Sequence, residues 1–462
     1  MNTTPPATPP SRRTILWVLS TYFAEGFPFT VVRFLSSVFF TDLGAKESVI
    51  GYLNALNIPW NLKFLWAPLL DVYGTKRGWL VCMQAIHAAL LFLAALLCIC
   101  AYLSPQQTIA QTLIALLFVV MAIFAATNDV AIDAYYLAGL TERPQQALYS
   151  GYRVMAYRIA VIFVKSGLVG LIAYCAWLPL CTATETNRWY CLPQMVTLLH
   201  LKSGDPYLPW AYTFTCGGLL FALLALGHWR YLPRFEAARL SAPLLGQTFA
   251  FFAQAFRTYL EQHKIGVVLG FIIFYRIGDE VLFSMVTPFM MRELLVTKAQ
   301  YSWIGGWIGA TGSIVGAMLG GWWIQRTGLT RAIWPITLLM NLAIWFYIGL
   351  AWYKPSATTL EGVSLIASIH FVEQVAAGLG AAALLVFLLG TCHREFKAAH
   401  YAIGSAIMSI PATVLGVFSG NFVEAFGYTT LFISAFVLTL PAMAFIPFVP
   451  LHSGTKVGET AH

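Results

Sequence analysis

Apolar positions along this chain neither alternate nor trace a single helical face; they run. Twelve such runs cover residues 14–41, 49–70, 79–103, 108–138, 148–178, 210–232, 264–291, 301–325, 331–353, 363–391, 398–424 and 428–449. Each is long enough to cross ~30 Å of hydrocarbon as a helix. Inside a bilayer every backbone polar group must be satisfied within the structure, which leaves helices or closed barrels, and these runs are too long and too uniformly apolar for barrel strands. The pattern predicts an all-α membrane protein of twelve transmembrane helices. The first run is too long for a signal-peptide core and lacks a small-residue cleavage site, so it reads as a retained first span. Loops are short except for 178–209 and 232–263. The second of these divides the chain into two six-helix halves. The expected layout is a disordered tail (1–13), a first half (14–232), a connecting loop holding a surface helix (233–263), a second half (264–449) and a second tail (450–462).

Composition agrees: 59% of residues are hydrophobic and 10% charged, which excludes a soluble globular domain. The net charge of +8 matters less than its placement. With a cytoplasmic N-terminus, Arg12, Arg13, Lys76, Arg77, Arg143, Arg230, Arg234, Arg239, Arg257, Lys264, Arg326, Arg331, Arg394, Lys397 and Lys456 fall on the cytoplasmic side, while Lys46, Arg188, Lys202, Arg292, Lys298 and Lys354 fall outside. The positive-inside rule then puts both termini in the cytoplasm of a multi-pass inner-membrane protein. It also accounts for the basic balance without nucleic acid. Of the eight cysteines, Cys181 and Cys191 lie in the long outer loop, where an oxidising compartment would let them pair. No spacing marks a metal site.

The two halves carry related loops. After the second run comes Ala67-Pro-Leu-Leu-Asp71-Val-Tyr-Gly74-Thr-Lys76-Arg77, and after the eighth Gly321-Trp-Trp-Ile-Gln325-Arg326-Thr-Gly328-Leu-Thr-Arg331. Both resemble the inner-loop signature of the major facilitator superfamily, with Ala67, Val72 and Gln325 departing from it. Gln325 lies 254 positions after Asp71, and the same offset carries Glu25 onto Asp279. A duplicated transporter would show this. The resemblance implies that Asp71, Lys76, Arg77, Gln325, Arg326 and Arg331 form a gating loop.

An ionised side chain in hydrocarbon costs at least ~2.5–3.5 kcal/mol, so charges inside the runs mark function or pairing. The acids are Glu25, Asp129, Asp133, Asp279, Glu280 and Glu373; the bases are Arg33, Lys63, Arg153, Arg158, Lys165 and Arg276. Asp129 and Asp133 are four apart and share a helix face. The fifth run returns antiparallel after a short turn, which brings Arg153 and Arg158 to a similar depth, so that Asp133 is expected in a static ion pair. Asp129 lies deeper and is the better proton carrier, because desolvation favours a protonated carboxyl. Glu25 precedes Gly26-Phe27-Pro28, a break expected to line a cavity. Arg276 can reach Asp279 or Glu280 along its own helix. His370 and Glu373 share a face. All six acids are candidates for proton coupling. Arg33, Lys165, Arg153, Arg158, Arg276, Asn54, Asn57 and Tyr135 are candidates for substrate binding.

Several segments are similar to AmpG-type muropeptide permeases and their wider family of peptide and acetyl-coenzyme A transporters. They are Lys63-Phe-Leu-Trp-Ala-Pro-Leu-Leu-Asp71, Ala126-Thr-Asn128-Asp129-Val-Ala-Ile-Asp133-Ala-Tyr135, Gly151-Tyr152-Arg153, Arg276-Ile-Gly-Asp279, Thr287-Pro288-Phe289 and Phe396-Lys-Ala-Ala-His-Tyr401. The resemblance implies a major facilitator fold and a proton-driven importer of muropeptides (N-acetylglucosaminyl-anhydro-N-acetylmuramyl peptides), without a cofactor. Its partners would be a small solute, protons and the bilayer, and it would work as a monomer. The family also contains acetyl-coenzyme A and siderophore importers, so these stay open as substrates. An enzyme of the membrane prenyltransferase type, or a receptor or scaffold, is the rival class. The first needs a second acidic motif to hold a hard cation, and no second Asp-x-x-x-Asp lies in a run.

Overall fold

The structure, a computed structural model, describes residues 11–103, 107–141, 143–175, 205–235, 245–392 and 397–450. Cys181 and Cys191, residues 1–10 and 451–462 and most of the long outer loop lie outside these residues, while Arg12 and Arg13, expected in a disordered tail, open the first helix. Among the described residues there is no strand.

Twelve helical spans follow in order. They are α1 (Arg12–Asp42), α2 (47–72), α3 (Lys76–Leu103), α4 (Gln107–Gly139), α5 (143–175), α6 (Tyr207–Tyr231), α7 (Ile265–Ser284), α8 (Lys298–Thr327), α9 (Leu329–Tyr353), α10 (Leu360–Gly390), α11 (397–426) and α12 (428–445). A separate connecting helix covers Leu245–Leu260. Among the described residues, nine unbroken helices are long and apolar enough to cross a membrane. The difference from twelve has three causes. The segment α11–α12 is continuous apart from Gly427, whose φ of 78° breaks it. Short stretches of 3-10 helix interrupt α2 at Leu53–Asn57 and Lys63–Leu65. And α7 concentrates Arg276, Asp279 and Glu280 within about a turn.

Among the described residues there are four π-turns, in which the helix widens to i→i+5 hydrogen bonds. These are Val31–Leu35 in α1, Phe163–Leu168 in α5, Phe289–Glu293 just after α7, and Ser302–Ile308 in α8. The turns in α1 and after α7 occupy comparable places in the two halves. So do Gly74 and Gly328, both with φ in the left-handed region (68° and 78°). Glycine reaches that region without steric cost, which explains why each copy of the loop motif has it there.

The chain forms two compact units, one of residues 1–39 and 65–244, the other of 40–64 and 245–462. Residues 40–64, first-half by chain order, therefore pack with the second unit. The first unit is held by spans α1, α3, α4, α5 and α6. Its core includes an aromatic stack of Phe39, Phe118, Trp210 and Phe214 from α1, α4 and α6. In the second unit, Phe271, Ile272 and Tyr275 of α7 pack with Met340 of α9, Phe387 of α10 and Ile446. Here α8 and α10 approach backbone to backbone: a Cβ on Gly316 would lie 2.0 Å from the Val375 carbonyl oxygen, and one on Gly378 2.4 Å from that of Ser313. Small residues allow this approach, which is how helices gain packing energy in lipid.

Candidate functional site

In the first unit, charges from α1, α4 and α5 come together, and the backbone explains how. Gly26 lets α1 meet α5 closely: a Cβ there would sit 2.9 Å from the Tyr157 carbonyl oxygen. Pro28 cannot donate a hydrogen bond to the carbonyl four residues back. That carbonyl, of Ala24, accepts instead from Asn128 Nδ2 of α4 at 2.9 Å. The expected break at Gly26-Phe27-Pro28 is thus repaired from outside, and α1 stays helical through Thr30. The irregularity comes one turn later, in the π-turn that carries Arg33.

Two layers of charge follow. In one, Asp133 accepts from Arg153 Nη2 and from the Tyr22 hydroxyl, each at 2.8 Å. The guanidinium of Arg153 lies between the rings of Tyr22 and Tyr136, 4.3 and 4.6 Å from their centres. These contacts fix Asp133 and Arg153 in one geometry, as the antiparallel turn predicts. In the other layer, half-buried Glu25, Asp129, Arg33 and Arg158 all lie near enough to the Tyr157 hydroxyl to act on it electrostatically. Lys165, on the π-turn of α5, places its Nζ 4.5 Å over the ring of Phe34, on the π-turn of α1. Phe23, Phe27 and Phe163 add a wall of rings in contact. The second layer offers both signs of charge, a phenol and aromatic faces.

The second unit receives the remaining candidates. Arg276 reaches both acids on its own helix, Asp279 at 3.5 Å and Glu280 at 3.0 Å. On α2, Asn54 Nδ2 donates to the carbonyls of Gly51 (2.9 Å) and Gly416 (3.1 Å). Asn57 Nδ2 donates to Ser409 and Thr413 of α11, both at 3.1 Å, and Asn61 Nδ2 to Thr413 at 3.2 Å. These amides join α2 to α11. In the same unit Arg292 bridges Glu47 (2.9 Å) and the Thr41 carbonyl (2.9 Å), and Lys298 bridges Asp42 (2.8 Å). His370 and Glu373 are both buried on α10.

Tyr135, of the first unit, uses its hydroxyl on the Pro233 carbonyl at 2.7 Å and packs edge-on against Trp17. In the loop motifs, Arg77 donates to the Trp229 carbonyl, Lys76 is half-buried, and Gln325, Arg326 and Arg331 are exposed. Arg326 stacks over Trp322 at 4.4 Å. The side chain of Asp71 lies outside the described set. Sequence reasoning missed Tyr22, Tyr157, Asn61 and Tyr347. Tyr157 lies four residues after Arg153, and Tyr22 three before Glu25, so helical spacing was the available signal.

The chain is similar over nearly its full length to several bacterial proteins. It is 26% identical to the anhydromuropeptide permease of Escherichia coli K12, covering 94% of this chain and 78% of that protein. An uncharacterized protein of Haemophilus influenzae is 27% identical over 93% of each chain. A transporter termed AmpG 4 of Rickettsia conorii is 22% identical over 94% of each. No protein-family model matches. Among solved structures, a bacterial homologue of the human lysosomal transporter Spinster gives a TM-score of 0.67 at 16% identity, covering 95% of this chain and 97% of that one. A D-xylose–proton symporter gives 0.58 at 17% identity, covering 95% and 98%. The fold is that of the major facilitator transporters. These relatives and this fold support a membrane-embedded secondary transporter of a small solute, as the sequence motifs implied, and not an enzyme.

Proposed function

We propose that this protein imports anhydromuropeptides across the cytoplasmic membrane in symport with protons. The observation that carries the reading is the second charge layer of the first unit. There Glu25 and Asp129 share one phenol with Arg33 and Arg158, and Lys165 stands on the neighbouring π-turn. The full-length resemblance to a permease named for anhydromuropeptides supports the substrate. Its peptide carboxylates suit Arg33, Arg158 and Lys165, and its sugar rings suit the aromatic wall. Asp129 and Glu25 take the proton. Coupling follows if protonation changes the relative stability of two access states; a proton held equally in both would drive nothing.

The test is uptake of radiolabelled N-acetylglucosaminyl-anhydro-N-acetylmuramyl peptide into proteoliposomes, with and without an inward proton gradient. Accumulation that collapses on adding a protonophore is the expected result. Absence of uptake by folded protein would discard this substrate and direct the same assay to coenzyme A esters and ferric siderophores.

A further inference from the structure

The second unit holds a titratable cluster buried more deeply than that of the first. Glu373 is 1% exposed and His370 5%, one turn apart on α10. Tyr347 of α9 is fully buried, and its hydroxyl lies 2.7 Å from His370 Nδ1. Glu373 Oε2 accepts from Gln374 Nε2 at 3.2 Å. Asp279 of α7 and Tyr301 of α8 act on the Tyr347 hydroxyl together with Glu373. Around them, Asp279 faces Arg276, which also holds Glu280, and Tyr301 shares a hydrogen bond with Thr287 at 2.8 Å. From α8, Gly309 leaves the imidazole just enough room: a Cβ there would meet Nε2 at 2.8 Å. Gly309 directly follows the π-turn Ser302–Ile308.

Loss or gain of one proton by this group changes the net charge of a buried volume by one. Changing a charge in such a buried place costs several kcal/mol unless its neighbours rearrange. A ring wedged against a glycine of the next helix passes that change on to helix packing. We infer that Glu373, His370 and Tyr347 form a second proton-holding site, separate from Asp129 and Glu25, whose occupancy sets how α8 packs on α10. This inference rests on the proton-coupled reading above and extends it to the second unit.

Two measurements on the full chain test it. The first is infrared pH-difference spectroscopy of purified protein in detergent. Glu373→Gln should lose a protonated-carboxyl band that Tyr347→Phe shifts and Asp129→Asn keeps. The second uses proteoliposomes. Glu373→Gln should exchange labelled for unlabelled muropeptide as wild type does, yet bring accumulation down to the equilibrium level under a proton gradient. A spectrum unchanged by Glu373→Gln, or undiminished accumulation, overturns the inference. Wild type that never accumulates substrate with the gradient overturns the proposed function instead, and the infrared result still decides the proton site. If Glu373→Gln does not fold, Tyr347→Phe and Gly309→Ala carry the test. Each should shift the pH dependence of exchange, and an unshifted profile in both overturns the inference.

Discussion

Asn128 does for α1 what a backbone amide would do at position 28, and this can be measured. The Ala24 carbonyl lacks its i+4 donor because residue 28 is proline, and it accepts from Asn128 Nδ2 at 2.9 Å. Asn128→Ala would leave that buried carbonyl unsatisfied, at a cost of about 1–3 kcal/mol by general measure. Interhelical hydrogen bonds measured in a membrane protein are smaller, about 0.6 kcal/mol on average and about 1.7 at most. The other amide atom, Oδ1, is buried with no hydrogen bond, so deleting it recovers part of the loss. The balance is a destabilisation of about 1 kcal/mol. Pro28→Ala restores an N–H within the helix. In that background the carbonyl has its own donor, and Asn128→Ala should cost nothing. Unfolding of the four proteins in mixed detergent–dodecyl sulfate micelles gives the cycle, with an expected coupling of about 1 kcal/mol. Equal destabilisation in both backgrounds would refute the account of how α1 survives its proline.

Three further outcomes are expected. Asp129→Asn should abolish gradient-driven uptake while the protein remains monodisperse in detergent; unimpaired accumulation would remove Asp129 from coupling. Arg33→Gln and Lys165→Gln should raise KM for the charged muropeptide far more than for an analogue whose peptide carboxylates are amidated, and equal effects on both would dismiss the anion role. Cys181 and Cys191 should resist thiol labelling in native membranes until reductant is added, a prediction that ready labelling would end.

The apolar runs were legible because a bilayer fixes the length of every span, and their order already gives the fold. The pairing of Asp133 with Arg153 was legible too, since a short turn between antiparallel helices forces those positions to one depth. The bonds from Arg276 to Asp279 and Glu280 follow from helical spacing alone. What did not show was the register of irregular helix. Gly26-Phe27-Pro28 pointed to a break, but a partner on α4 satisfied the freed carbonyl and moved the irregularity to Val31–Leu35. Nor could chain order tell that residues 40–64 pack with the second unit. Asn54, Asn57 and Asn61, three and four residues apart, carried that information in their spacing, yet their acceptors lie some 350 residues away (|i−j| of 352 for Asn57 to Ser409).

The irregular turns connect these observations. A regular helix in hydrocarbon cannot change its pitch cheaply, because no water waits to take a released backbone group. A helix that already contains a π-turn differs: the wide turn can migrate by exchanging one hydrogen bond for the next, and every side chain it passes is re-aimed. Three of the four π-turns carry a basic residue, Arg33, Lys165 and Arg292. The fourth is followed directly by Gly309, beside the imidazole of His370. Charge therefore stands where the backbone is easiest to re-register. On the function proposed above, an anion bound at Arg33 and Lys165 would act on two such turns directly, and a proton held by Glu373, His370 and Tyr347 would act on a third through Gly309. Substrate and proton would then reach the same kind of element in each unit, which is what a carrier needs if both are to bias one change of access.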